Sequence, residues 1–149
     1  MIRNLIYLVC FSFFLSCNVE QDQYLYKVNF KNTSNTPFHL LVLGDTLNRS
    51  EPANDTLINV LLNKGEISPY FSYKSHFFEG FKYELTYVKV QFTNENKGYV
   101  CTKSTLSRDL CFMTKSSPIY STGEVFIGND KIYSYEITQE DYENAHVLP

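Results

Sequence analysis

Cysteine and histidine are the side chains with the strongest claim to chemistry in this 149-residue chain, which has four of the first and three of the second. Cys101 and Cys111 flank the segment TKSTLSRDL. A hairpin turning near Leu106 would place them opposite each other on two strands. Such a pair suits a disulfide in an oxidising compartment, worth roughly 2–3 kcal/mol over a loop of this length. Two buried free thiols are the alternative.

The common sequence motifs of catalysis and metal binding are absent from the sequence. The cysteine spacing suits neither zinc nor a thioredoxin-like redox motif. The histidines show no metal-ligand spacing either; they are His39, His76 and His146. The sequence contains no G-x-S-x-G, no Gly-rich phosphate loop and no H-E-x-x-H. We therefore predict no enzymatic activity, no metal and no cofactor.

The N-terminus has the layout of a secretory signal. Arg3 is the only charged side chain before an apolar stretch, LIYLVCFSFFL, that runs over residues 5–15, and Ser16 and Cys17 follow it. A positive start, a short apolar run and a small residue before the break are typical of a cleaved signal. A membrane-spanning helix needs about 20 apolar residues, and this run is too short.

The residues FLSC, which end at Cys17, resemble a bacterial lipobox. Ser16 and Leu15 match the positions before the cut, whereas Phe14 stands where Leu is usual. The resemblance implies cleavage before Cys17 and acylation of that cysteine, including palmitate, and hence a lipid anchor on the cell envelope, with the outer membrane expected. We predict a signal peptide over 1–16, an acidic and polar tether over 17–23 and one domain over 24–149.

Many short strands are predicted along the domain. Alternation over 24–30 and a second apolar run over 38–43 indicate an opening hairpin. In the longest strand, over 83–92, the apolar parity changes near Tyr87, which indicates a bulge or a strand buried on both faces. Two strands surround 128–131, and Thr138 with Asp141 forms a capping-box pattern before a helix from Gln139 to about Ala145. These elements predict an all-β fold, an antiparallel β-sandwich (immunoglobulin-like or similar) with a short C-terminal helix. A closed barrel is the alternative.

An aromatic-dense segment over 67–81 is the one feature that suggests ligand binding. Exposed Tyr and Phe side chains stack on sugars or anchor protein partners. Tyr70, Phe71 and Tyr73 are the candidate ligand-binding aromatics, and core packing beside an edge strand is the competing interpretation, because Pro69 disfavours a central strand.

Charge argues against one class of partner. The net charge is −3, and no Lys/Arg cluster is present, so the chain lacks the electrostatic footprint of nucleic-acid binding.

The leader, the strand ending in KNTSN, the VKVQF strand and the closing YSYEITQEDYENA together resemble small Bacteroidota-type lipoproteins without an assigned activity. The hypothesis is an envelope protein anchored in the membrane through Cys17 that binds a protein partner or joins an assembly. An immunity or inhibitor lipoprotein and a carbohydrate-binding lipoprotein are the alternatives.

Overall fold

The computed structural model describes residues 22–45, 55–81, 84–103, 110–119 and 125–149. The leader, Cys17, most of the tether and the Leu106 turn lie outside these residues. Within them the chain forms one helix, α1 (Gln139–Glu143), and nine strands: β1 (Tyr24–Asn32), β2 (Phe38–Asp45), β3 (Asp55–Leu62), β4 (Phe71–Ser75), β5 (Glu84–Phe92), β6 (Lys97–Thr102), β7 (Phe126–Asn129), β8 (Ile132–Ile137) and β9 (His146–Val147).

Two sheets pack face to face. One has the strand order β4-β1-β8-β7 and the other β3-β2-β5-β6-β9. Neighbouring strands are antiparallel except β1 and β8, which run parallel, so the first sheet is mixed. The structure confirms an all-β sandwich with a short C-terminal helix, and the parallel pair is its one departure from the purely antiparallel expectation among the described strands.

The core lies between the two sheets and follows the period-2 alternation of the strands. Inward side chains from both sheets are fully buried; examples are Val28, Phe30, Leu40, Val42, Val88, Val90 and Phe92. Aromatic rings fill much of this layer, as where Phe30 stacks on Phe81 with centroids 4.6 Å apart. The abundance of Phe and Tyr, 12 of each, thus serves largely as packing volume.

The bulge predicted in the longest strand is present. Leu43 pairs with Tyr87, and the next residue of β2, Gly44, pairs with Leu85, so Thr86 is the extra residue of β5. The bulge shifts the side-chain alternation by one position, and so Leu85 and Val88 both face the core.

The predicted opening hairpin is wrong. β1 and β2 belong to different sheets, and residues 33–37 cross between them. The Asn32 side chain secures the crossing, because its amide donates to the carbonyls of Leu62 and Thr36 and its oxygen accepts from the Ser34 N–H. Turn-forming residues mark a reversal of the chain, but they do not determine which sheet the next strand joins.

The last predicted hairpin and the capped helix are both present, and β9, which was not predicted, follows the helix. In the β7–β8 turn Asp130 and Lys131 both have positive φ, 51° and 65°, as a two-residue hairpin of the right twist requires. At the helix, Thr138 and Asp141 form the complete capping box. The helix stops at Glu143, slightly before the predicted end at about Ala145.

Candidate functional site

The predicted cysteine pair is brought together. Cys101 and Cys111 lie at disulfide-bonding distance, with their Cα atoms 4.7 Å apart. Cys101 belongs to β6, but Cys111 lies in a segment without strand structure, so the expectation of a cross-strand pair in a hairpin is wrong. Residues 110–119 instead lie beside β6, where Cys111 and Phe112 are buried against the core. One edge of β6 pairs with β5, and the other edge pairs with β9 at Lys97 and Gly98.

The aromatics singled out as ligand-binding do not form a shared surface. Phe71 and Tyr73 point into the sandwich and are buried, whereas Tyr70 is 45% exposed. Tyr70 has Lys27 Nζ 5.9 Å from its ring centroid. A platform made of all three rings is therefore not available, and the packing interpretation holds for Phe71 and Tyr73.

The most concentrated polar chemistry lies around Lys115, a residue that sequence reasoning missed. Its Nζ donates to Asp141 Oδ2 at 2.5 Å and to the Glu136 carbonyl at 2.6 Å. The same ammonium lies 4.7 Å from the ring centroids of both Phe112 and Tyr135. A carboxylate oxygen, a carbonyl oxygen and two aromatic faces thus surround one lysine.

Burial dominates the electrostatics of this cluster. Desolvation lowers the pKa of Lys115 below its usual value, although the Asp141 carboxylate acts in the opposite direction. Burial also raises the pKa of Tyr99 to about 12 and raises that of Tyr135 strongly. Both hydroxyls donate to backbone carbonyls, Tyr99 to Asp141 at 2.6 Å and Tyr135 to Ser116 at 2.8 Å.

These contacts make the Lys115 cluster a structural clamp. Lys115 keeps only a fifth of its side chain exposed, and its ammonium is engaged by Asp141 and Glu136. Phe112 stacks on Tyr99 with centroids 4.0 Å apart, close to the cysteine pair. The clamp therefore holds residues 110–119 onto the C-terminal helix. No pattern in the sequence marks it, because its members come from β6, an irregular segment, β8 and α1.

Exposed apolar side chains gather at one end of the first sheet. There Tyr24 pairs with Ser75, Leu25 with Lys74 and Lys27 with Ile132, so the start of β1 meets the end of β4 and the β7–β8 turn. Four large apolar residues at this end are exposed, and we call them the apolar end surface: Tyr24 (43%), Leu25 (50%), Phe77 (66%) and Ile132 (39%). Leu25 and Ile132 lie on the outer face of the sheet and Tyr24 on the opposite face, so this surface is the rim of the sandwich and not one face of a sheet.

A packed aromatic cluster lies on the core side of the sheet next to the apolar end surface. Phe78 stacks on Tyr133 with centroids 3.9 Å apart, and Tyr26 packs against both rings and against Tyr73. The Tyr73 hydroxyl accepts from the Glu79 N–H at 2.8 Å and donates to the Gly80 carbonyl at 3.0 Å. These two bonds tie the residues that follow Phe77 in the loop back to β4.

Cations border the same surface. Lys131 Nζ lies 4.1 Å from the ring centroid of Tyr24 and 5.5 Å from that of Tyr26. Lys74 lies opposite Leu25, and two exposed acids, Asp22 and Asp130, lie nearby. The end is therefore apolar and aromatic with charges of both signs at its margin.

Comparison of the chain with protein-family models, with curated proteins and with solved structures found no match. In the ranges that the structure describes, no group of three or more His, Cys, Asp or Glu side chains is placed to hold a metal ion. Over the same residues, no helix is both long enough and apolar enough to cross a bilayer.

Proposed function

We propose that the chain is a non-enzymatic protein of the cell envelope, anchored by acyl chains on Cys17, that binds a protein partner or forms part of an envelope assembly. The observation that carries the proposal is the small number of residues between the lipobox-like FLSC and the first strand of the fold. β1 begins at Tyr24, the seventh residue after Cys17, and its buried residues start at Tyr26. A folded domain thus follows the acylation motif after a short tether.

The interior chemistry supports a binding role over a catalytic one. Lys115 and Asp141 bond to each other, to backbone groups and to the helix cap. The residues of the apolar end surface, in contrast, are exposed at one end of the sheet, and exposed apolar groups of this kind favour contact with another surface over catalysis. One acyl chain alone binds a membrane only marginally, which is why lipoprotein anchors combine several.

Metabolic labelling tests the anchor. Radiolabelled palmitate should enter the protein in its native host, and Cys17→Ser should abolish the label. Cys10→Ser is the matched control, because Cys10 lies in the leader and its variant should keep the label. Label that persists in Cys17→Ser, or that disappears in Cys10→Ser alone, would refute the assignment.

Crosslinking in intact cells tests the partner. A pull-down after crosslinking should recover one recurring envelope protein with the wild-type chain and lose it when the chain is released from the membrane by Cys17→Ser. Recovery of no protein above an unrelated anchored control would contradict the interaction role.

A further inference from the structure

We infer that the apolar end surface docks on the lipid bilayer itself, in the boundary between headgroups and acyl chains; this inference rests on the proposed anchor at Cys17. The occupant is a phospholipid surface. Four exposed apolar side chains lie on it, and the chain that leads to Cys17 leaves the sandwich at the same end.

The position of this end relative to the anchor is the first argument. Asp22 and Tyr24 lie next to the end of β4, where the His76 ring lies 3.3 Å from the Asp22 carbonyl oxygen. Seven residues span at most about 25 Å when fully extended. The start of β1 therefore cannot lie farther than this from an acylated Cys17, whereas the opposite end of the sandwich can face away.

The composition of the surface is the second argument. Phe77 and Leu25 offer apolar groups, and Tyr24 combines an apolar ring with a polar hydroxyl, a combination that favours the membrane interface. The Lys131 ammonium lies over the Tyr24 ring, and the long aliphatic stem of a lysine allows its charge to reach lipid headgroups beside an apolar contact. Because acids and bases both border the surface, we expect docking to depend on apolar contact and only weakly on anionic lipid.

Tethering makes a modest surface sufficient. Four partly exposed side chains give a weak contact for a free protein, since burial is worth roughly 25 cal/mol per Å² of apolar area. A short tether turns that contact into an intramolecular event at an effective concentration in the millimolar range. The anchored domain would then hold one orientation, with its C-terminal helix directed away from the membrane.

A tryptophan reporter tests the inference, because the chain contains no Trp. Phe77→Trp places a reporter on the apolar end surface, and Leu61→Trp places a matched control at the far end of β3, where Leu61 is 45% exposed. Each protein, purified from its host in its processed form, is reconstituted into phosphatidylcholine vesicles with brominated acyl chains. We expect strong quenching of the fluorescence of the Phe77→Trp variant and little quenching of the Leu61→Trp variant.

A second variant shows which contacts are responsible. Leu25→Glu in the Phe77→Trp background should abolish the quenching, and Leu61→Glu in that background should leave it intact. Ile132→Glu replaces Leu25→Glu if circular dichroism shows that the first variant is unfolded. Equal quenching of the two reporters, or none for the reporter at position 77, would overturn the inference, and the latter is also the result expected if a protein covers this end.

Failure of the anchor and failure of docking can be told apart. The intact mass of the same samples shows whether acyl chains are present. Acylated protein in which the reporter at position 77 is not quenched refutes docking alone. Protein without acyl chains refutes the proposed anchor. Docking is then tested by titrating that protein with excess lipid: selective quenching of the reporter at position 77 supports docking, and the lack of such quenching contradicts docking.

Discussion

Asp141 is the residue on which most of the polar structure converges. Its carboxylate accepts from the Thr138 N–H at 2.7 Å and from Lys115, and its backbone carbonyl accepts from Tyr99. The residue is 3% exposed. One carboxylate therefore caps α1 and neutralises a buried lysine at the same time.

We predict that Asp141→Ala lowers the free energy of unfolding by about 3 kcal/mol or more, because it leaves Lys115 buried without its counter-ion and removes the cap. Lys115→Met should also cost about 3 kcal/mol, because it leaves the buried Asp141 carboxylate without its counter-ion, although Met retains the contact with Phe112 and Tyr135. Urea unfolding at pH 7 measures both. A loss below about 1 kcal/mol for either variant would contradict the clamp.

The buried tyrosines make the fold sensitive to alkali. Tyr99 and Tyr73 have pKa values raised to about 12, against 10.0 for an unperturbed tyrosine, the value expected in the unfolded chain. Between these values the unfolded state gives up protons that the folded state retains, so stability falls as the pH rises from about 10 towards 12. We expect the free energy of unfolding of Tyr99→Phe to fall less, between about pH 9 and the alkaline range, than that of the wild-type protein. Urea unfolding at each pH measures both. An unchanged slope would contradict the assignment.

The cysteine pair links β6 to the segment that begins at residue 110. Cys101 and Cys111 are ten positions apart, and Phe112 follows directly and packs on Tyr99. Closing the loop restricts the unfolded chain and fixes the start of the segment that carries Lys115. The cysteine pair at Cys111 and the ion pair at Lys115 thus hold the two ends of residues 111–115.

We predict that reduction lowers the free energy of unfolding by about 3 kcal/mol, as expected for a loop of this length. Unfolding in urea with and without a dithiol reductant measures the difference. The double variant Cys101→Ala/Cys111→Ala is the control and should not respond to the reductant. Two free thiols, found by mass in protein isolated from the envelope, would show that the pair is not oxidised there.

Local elements were largely predictable because their signals are local. The change of apolar parity between Tyr87 and Val88 predicted the bulge, and Thr138 with Asp141 predicted the capped helix, because each of these patterns spans only a few residues. The crossing at Asn32 and the clamp at Lys115 were not predictable. Both depend on partners far away in the sequence, such as Leu62 for Asn32 and Tyr135 for Lys115, and no short pattern encodes such contacts.

At the scale of the whole molecule, the sandwich has two unlike ends. At one end the start of β1 lies among exposed apolar side chains, and at the other the crossing over 33–37 meets α1, where the Asn35 N–H bonds to Gln139. With an anchor at Cys17, the inferred docking would direct the first end towards the bilayer and the second end, with α1, away from it.

The intact mass and N-terminal sequence of the mature protein, isolated from the envelope of its host, test the central claim most directly. The proposed anchor predicts a chain that begins at Cys17 and carries acyl chains on that residue. A chain that begins at any other residue, or that begins at Cys17 without lipid, would contradict it.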